Sequence, residues 1–297
     1  MFWAVKISNQ PAFRPPGEAD SLILQIDEGC PWNRCTFCGM YKGQRYRRRE
    51  LGQVCDLIAQ EAHKSSDIRR IFLADGDVMS RSFAELRHIL ETLLAHFPRL
   101  ARVSMYANGA SIGSKTSAEL TALRSLKLHT LYMGLESGDD DVLRDCEKRE
   151  TAAEMVAACN QAQAAGLRMS VMILLGLGGM TRSRQHVEHT AAALNMMQPR
   201  LLSALRVIPV AGTRLEEAVR NGSFTLQTEH GAVCELRDII ARLTLNATVF
   251  RANHSSNIVP LEARFPHDKN RILMMLDTLL ASGSLDQKSA GFMPFWL

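Results

Sequence analysis

Three cysteines, Cys30, Cys35 and Cys38, stand close together in the stretch GCPWNRCTFCGMYKG. Thiolates at this spacing favour soft metals such as zinc or iron. A closed zinc or iron–sulfur site usually takes four protein ligands. Three thiolates therefore indicate either a fourth ligand elsewhere in the chain or a coordination position left open for a molecule from outside.

Several interpretations of this cysteine cluster compete. A structural zinc site needs a fourth ligand nearby, but His63 and Cys55 both lie within the helical pattern that follows. A [2Fe–2S] site of the plant ferredoxin type has the same C-x4-C-x2-C spacing and needs a distant fourth cysteine. Incidental structural thiols are the better interpretation for the remaining cysteines, which are Cys55, Cys146, Cys159 and Cys234. A [4Fe–4S] cluster on three thiolates leaves one iron open, which explains the number three directly.

Six short apolar runs alternate with helical patterns after the first 20 residues. The runs are SLILQID, RRIFLA, RVSMYA, HTLYMG, RMSVMILL and LLSALRVI. Buried strands separated by helices predict a parallel sheet, and six such units predict an α/β fold of the partial (β/α)6 TIM-like barrel type. An open doubly wound sheet is the alternative.

Polar and glycine residues follow the strands at the end where parallel α/β folds form their sites. The cysteine cluster follows the first strand. The other groups are Asp75–Asp77, Asn108 with Gly109, Leu135–Asp139, Gly176–Gly179 and Pro209–Thr213. The sequence therefore predicts one site at this edge of the sheet.

Over about residues 20 to 215 the chain resembles the radical S-adenosylmethionine (SAM) superfamily, whose usual spacing is C-x3-C-x2-C. The longer spacing here is similar to the Elp3 and anaerobic coproporphyrinogen dehydrogenase branch. The resemblance implies that Cys30, Cys35 and Cys38 hold three irons of a [4Fe–4S] cluster and that the fourth iron chelates SAM. It also implies reductive cleavage to a 5′-deoxyadenosyl radical, which abstracts hydrogen from a small or medium organic substrate. A flavodoxin or ferredoxin-type protein is the expected electron donor.

The same resemblance implies roles for single residues. Phe37 falls beside the adenine, Glu136 at the ribose, Lys148 at the SAM carboxylate, and Gly176 of the GLGG motif at the adenine. Asp75-Gly76-Asp77 resembles the GGE motif that binds the SAM ammonium, with an aspartate in place of the first glycine. Asn108, which follows the third strand at the same edge of the sheet, is also expected to bind cofactor. Met172 and Tyr106 stand where the coproporphyrinogen-type enzymes have acidic residues. Taken alone, each supporting residue also has an ordinary structural interpretation, such as a helix cap for Asp77.

Two segments could contact substrate. Tyr41–Glu50 is strongly basic and suits an anionic substrate or RNA, but a solvated helix start with local ion pairs is favoured, so nucleic acid is not a preferred partner. The loop RANHSSN offers Asn253, His254 and Asn257 as possible substrate-binding residues; the alternative is a turn whose side chains bond their own backbone. Neither a second cysteine cluster nor a cobalamin-type DxHxxG motif is present in the sequence.

The chain has 297 residues and a net charge of +4, and its domains are expected to be an N-terminal extension (1–20), a radical SAM core (21–220) and a C-terminal helical cap (221–297). The cap is predicted to contain helices over about Glu229–Phe250 and Asp268–Ser282. The N-terminal residues lack a secretory pattern, and the longest apolar run is shorter than the roughly 20 residues that span a bilayer. A cytoplasmic protein without membrane insertion is therefore expected. An iron–sulfur or haem carrier on the same fold, without turnover, is the alternative function.

Overall fold

A computed structural model describes residues 13–65 and 67–287 of the chain. The first 12 residues of the predicted N-terminal extension and the tail GFMPFWL lie outside the described residues. The chain divides into two compact units. The first comprises the residues up to 33, 40–133 and 158–169, and the second comprises 34–39, 134–157 and the residues from 170 onward.

The strands are β1 (Leu22–Gln25), β2 (Asp27–Glu28), β3 (Arg47–Arg48), β4 (Arg70–Ala74), β5 (Arg102–Tyr106), β6 (Leu128–Glu136), β7 (Arg168–Leu175), β8 (Leu201–Arg206), β9 (Thr248–Arg251) and β10 (Glu262–Phe265). The α-helices are α1 (Leu51–Lys64), α2 (Phe83–His96), α3 (Gly109–Gly113), α4 (Ser117–Ser125), α5 (Asp140–Asp145), α6 (Ala152–Ala164), α7 (Ser183–Met197), α8 (Arg214–Arg220), α9 (Glu229–Arg242) and α10 (Lys269–Ala281). Short 3-10 helices cover Pro16–Glu18 and Val78–Ser80.

The first unit is built on parallel strands in the order β1, β4, β5, β6. Residues Ile71–Ala74 of β4 are fully buried, as expected for a strand covered on both faces. Helix α2 begins with a capping box between Ser82 and Glu85, and its buried stripe comprises Leu86, Ile89, Leu90 and Leu93. The predicted strands and this helix are confirmed.

Three aromatic rings from β4, β5 and β6 pack edge to face in the first unit. The ring centre of Phe72 lies 5.2 Å from that of Tyr106 and 5.9 Å from that of Tyr132. The Tyr132 hydroxyl donates a 2.8 Å hydrogen bond to the buried carboxylate of Glu18. Glu18, which lies in the predicted N-terminal extension, is therefore packed together with the strands of the first unit.

The second unit pairs β7 with β8 and β8 with β9 in parallel, and β9 with β10 antiparallel. The helix predicted over about Glu229–Phe250 ends at Arg242. The last part of the predicted helix, from Thr248 to Phe250, lies instead in strand β9. That part of the prediction was wrong because β9 is completed by hydrogen bonds to partners distant in sequence. Helix α10 agrees with the predicted second helix. Among the described residues, no helix combines the length and apolarity needed to cross a bilayer.

Candidate active site

In the first unit, Cys30 packs directly against Gly76, the residue that follows β4 by two positions. The Gly76 N–H donates a 3.0 Å hydrogen bond to the Gly29 carbonyl. A Cβ atom added at Gly76 would lie 2.5 Å from the Cys30 Cβ and 3.0 Å from its Sγ. Real Cβ atoms do not approach this closely, so only glycine fits beside this cysteine.

Asn33 shapes the four-residue spacer between Cys30 and Cys35. Its backbone is left-handed, with φ of 43°, a conformation that asparagine tolerates better than most residues. Its Nδ2 donates to the Tyr41 carbonyl at 2.9 Å and to the Gln44 carbonyl at 3.1 Å. The spacer is therefore folded back onto the segment that follows the cysteines.

In the second unit, backbone hydrogen bonds hold the loop of residues 34–39, which carries Cys35 and Cys38. The Thr36 N–H donates to the Cys146 carbonyl at 2.9 Å, and the Thr36 carbonyl accepts from the Leu215 N–H at 3.0 Å. The Arg214 guanidinium bonds both the Arg34 carbonyl and the Glu147 carboxylate. The path of this loop is thus fixed by α8 and by the segment after α5.

Phe37 lies in the same loop and packs against an apolar cluster of the second unit. The cluster comprises Val142, Cys146, Leu177, Val207 and Leu215. The side chain of Phe37 is itself only partly buried. One part of the side chain is therefore held by the cluster while another part remains exposed.

Glu136 and Lys148 form a largely buried ion pair in the second unit. Lys148 Nζ lies 3.6 Å from Glu136 Oε1, and the two side chains are 7% and 13% exposed, respectively. Burial alone would lower the pKa of Lys148, but the Glu136 carboxylate and the Cys35 thiol raise it, so the lysine stays charged. Burial raises the pKa of the Cys35 thiol to about 12, and Lys148 acts in the opposite direction.

The backbone around this ion pair is unusual. Glu136 has a φ of 63°, which is rare for a residue with a side chain. A Cβ atom at Gly134 would lie 2.0 Å from Glu136 Oε1 and 3.3 Å from Lys148 Nζ, so the glycine leaves the space that the ion pair occupies. Strained backbone of this kind is concentrated at functional sites.

The acidic residues after β4 have different surroundings. Asp75 Oδ2 is buried without a hydrogen-bond partner among the described residues, and burial raises the pKa of Asp75 to about 7. Asp77 accepts from the Ser111 hydroxyl at 2.7 Å and from the Asn108 N–H and Nδ2, each at 3.3 Å. Asp77 and Asn108 therefore lie together, and their mutual bonds fix the start of α3.

Gly176 begins the turn after β7 with a φ of 81°. Its N–H donates to the buried Glu235 carboxylate at 2.6 Å, and its carbonyl accepts from the Gly179 N–H at 3.0 Å. Both polar backbone atoms of Gly176 thus have protein partners. The N–H is therefore fully used, whereas the carbonyl oxygen keeps a second lone pair that can accept another hydrogen bond.

The predicted substrate loop makes most of its hydrogen bonds within the protein. Asn257 Nδ2 donates to the Ala204 and Ala252 carbonyls, at 2.8 and 3.0 Å. His254 Nδ1 lies 2.9 Å from the Ser256 hydroxyl, and Asn253 donates to Glu262 at 2.8 Å. Asn257 is thus held through its Nδ2, while its Oδ1 is buried without a hydrogen-bond partner among the described residues. Asn253 is exposed and His254 half-buried.

The basic segment Tyr41–Glu50 contains arginines that are engaged in local ion pairs. Arg47 and Arg49 both contact the Glu28 carboxylate, at 2.5 and 2.7 Å. Arg48 lies 3.6 Å from Glu85. These contacts agree with the favoured expectation of local ion pairs for this segment.

A family model described as the radical SAM superfamily matches residues 24–192, more than half of the chain. The chain belongs to the radical SAM superfamily. Enzymes of this superfamily use a [4Fe–4S] cluster and SAM, and these are its cofactors. The match includes the three cysteines, Gly76, Glu136, Lys148 and Gly176.

Individual relatives are distant and often longer. A protein of Pyrococcus horikoshii, named as an uncharacterized methyltransferase, is 25% identical over 206 residues, which are 67% of this chain and 42% of the relative. Coproporphyrinogen III oxidase from Escherichia coli superposes with a TM-score of 0.59 at 17% identity, over 74% of this chain and 51% of the oxidase. Methylornithine synthase superposes with a TM-score of 0.51 at 15% identity, over 86% of this chain and 80% of the synthase. At these identities the structural likeness is one of fold, and the chain spans about half or less of the first two proteins.

The side chains present fit the cofactors of the superfamily. Three thiols supply soft ligands for iron, and the Glu136–Lys148 pair offers both charges that a zwitterionic amino-acid group requires. The unpartnered Asp75 oxygen offers an acceptor to a buried donor. Among residues 13–65 and 67–287, no three His, Cys, Asp or Glu side chains are arranged to hold a single metal ion, so the assignment of the cluster ligands rests on the family and the loop.

Two residues near the site were missed by the sequence interpretation. The sequence pattern relates Asp75 to a glycine motif or a helix cap and does not predict its burial, although it directly follows the apolar run IFLA. Glu235 lies on the buried face of α9 together with Ala232, Leu236 and Ile239. A carboxylate on the apolar face of a helical pattern could have been noticed from the spacing alone.

Proposed function

We propose that the chain cleaves SAM reductively at a [4Fe–4S] cluster held by Cys30, Cys35 and Cys38 and abstracts hydrogen from a small or medium organic substrate. The observation that carries the proposal is the buried ion pair of Lys148 with Glu136, whose Nζ and Oε1 atoms lie 3.6 Å apart in the same unit as the loop of Cys35 and Cys38. A SAM carboxylate bound at the open iron needs a cation beside the cluster ligands. Lys148, kept charged by Glu136, supplies that cation.

The remaining residues are proposed to bind and orient the two cofactors. With both cofactors bound, the site supplies a carbon-centred radical. The chain itself holds Cys30 in place through Gly76, presents the Glu136 carboxylate to the ribose hydroxyls, and offers Asp75 and Gly76 toward the ammonium. The open part of the Phe37 ring provides an apolar surface for the adenine. Asn253, His254 and Asn257 are proposed substrate contacts, and a flavodoxin or ferredoxin-type protein is the proposed electron donor.

The test is anaerobic turnover of the reconstituted, dithionite-reduced protein with SAM, followed by detection of 5′-deoxyadenosine. A Cys35→Ser variant serves as the negative control. Deuterium transfer from a labelled cell extract into 5′-deoxyadenosine would then identify the substrate class by mass spectrometry. A protein that binds its full iron complement but yields no 5′-deoxyadenosine would contradict the proposal and favour the iron–sulfur or haem carrier.

A methyl transfer reaction is the second candidate, because the Pyrococcus horikoshii relative is named as a methyltransferase. The same assay separates the two reactions when SAM carries a labelled methyl group. Hydrogen abstraction gives 5′-deoxyadenosine and leaves the label in methionine. Methyl transfer gives S-adenosylhomocysteine and places the label in the product.

A further inference from the structure

The Glu235 carboxylate, from the C-terminal region, accepts a hydrogen bond from the GLGG turn (Gly176–Gly179). Glu235 on α9 accepts from the Gly176 N–H and from the Ser183 hydroxyl, each at 2.6 Å. Gln227 Nε2 donates to Glu235 and to the Gly179 carbonyl, each at 3.3 Å. Glu235 and Gln227 together therefore hold both ends of the turn.

The Glu235 carboxylate is 2% exposed, and burial of a charge is costly unless it is well hydrogen-bonded. Among the described residues, no lysine or arginine forms an ion pair with it. The imidazole of His186 lies beside it, with Nε2 4.0 Å away, and burial lowers the pKa of His186 to about 4. The carboxylate is thus stabilised by its three hydrogen-bond donors, two of which belong to the turn or to the start of α7.

The turn itself depends on outside support. Gly176 and Gly179 have φ values of 81° and 58°, and glycine in this region is conformationally free in the absence of contacts. A carboxylate that binds the Gly176 N–H fixes the direction of that peptide, and a turn with fixed peptides presents one surface to a ligand.

We infer that Glu235 is a positioning residue for the SAM site, acting through the Gly176–Gly179 turn on its adenine side. The inference rests on the proposed function, because the adenine contact of Gly176 comes from the family. It assigns to helix α9, which lies beyond the family match at residue 192, an indirect effect on cofactor affinity, exerted through the turn.

The experiment compares Glu235→Asp with Glu235→Gln. Aspartate keeps the buried charge but withdraws the carboxylate by one methylene from the Gly176 N–H. Glutamine removes the charge but keeps an acceptor oxygen at the same reach. Glu229→Asp, a partly exposed position at the start of the same helix, is the matched control.

With the reconstituted protein and S-adenosylhomocysteine as the probe, we expect the Kd to rise roughly tenfold in Glu235→Asp, about the effect of one charge-assisted hydrogen bond. The rise should stay below about threefold in Glu235→Gln, and Glu229→Asp should match the wild type. Hydrogen exchange at the Gly176 amide should be faster in Glu235→Asp only. This second readout does not depend on cofactor binding.

Wild-type affinity and wild-type amide exchange in Glu235→Asp would overturn the inference, as would an equal loss in both Glu235 variants. A wild-type protein that binds no S-adenosylhomocysteine would instead contradict the proposed function. In that case the exchange rate of Gly176 would still decide whether Glu235 holds the turn.

Discussion

Replacement of Gly76 by alanine is the sharpest test of how the site is built. The added Cβ would lie 2.5 Å from the Cys30 Cβ and 2.8 Å from its Cα. Carbon atoms in contact prefer about 3.5 to 4.0 Å, so one of the two backbones must move by about 1 Å. Functional groups need to be placed within about 0.5 Å, and the shift exceeds that tolerance.

Two effects follow from this displacement. Overpacking of this kind costs about 1 to 3 kcal/mol of stability, which urea unfolding would detect. Since Cys30 moves away from the position that a cluster ligand must occupy, we also expect roughly a twofold or greater loss of bound iron after anaerobic reconstitution. Iron and sulfide analysis and the absorbance near 400 nm measure that loss.

Gly113→Ala is the matched control, because a Cβ built at Gly113 meets no atom within 4 Å outside its own helix and its chain neighbours. Gly113 is the last residue of helix α3. Alanine there should leave iron content unchanged and stability the same or slightly higher. Full iron content in Gly76→Ala would refute the reasoning, whatever its effect on stability. It would mean that Cys30 can move without consequence or is not a ligand.

Three further predictions concern charge and backbone. Lys148→Met should lower the free energy of unfolding in urea by about 3 kcal/mol, because it leaves the buried Glu136 carboxylate without its cation. The double variant with Glu136→Gln should recover part of that loss, and additive losses would argue against the ion pair. Because burial raises the pKa of Asp75 from 3.8 to about 7, the stability held by its protonated form is complete below pH 4 and is lost as the pH rises through 7. Asp75→Asn should therefore flatten the fall in unfolding free energy between pH 4 and pH 7, by at most about 4 kcal/mol, and an unchanged slope would exclude this carboxyl as its source. Asn33→Ala should lose about 1 to 2 kcal/mol and Asn33→Gly less, because glycine accepts the left-handed backbone; thermal unfolding gives the order, and equal losses would show that only the side-chain bonds matter.

The strands of the first unit could be predicted because their runs are buried along nearly their whole length, as in Ile71–Ala74 of β4. Strand β9 could not, because Thr248–Arg251 is short and half-buried, and its partners in β8 and β10 supply the hydrogen bonds that define it. Local sequence carries no record of such partners.

The candidate site shows the same limit. The motif containing Gly76 is visible in the sequence, but its contact with Cys30 arises only when two loops distant along the chain meet. The loop RANHSSN is rich in donors and acceptors, yet the sequence does not reveal that Asn257 bonds the carbonyls of Ala204 and Ala252. Composition identifies groups that can form hydrogen bonds, and the fold decides which of them are already used.

The bonds of Thr36 have a consequence for how iron enters the protein. They join protein atoms to protein atoms, so the path of the loop between Cys35 and Cys38 does not depend on a bound metal. Many small metal-binding domains fold only around their ion and collapse when a chelator removes it. This loop should instead be preorganised for binding. Chelation should remove the iron while the circular dichroism spectrum persists, and the iron-free protein should bind iron again without refolding.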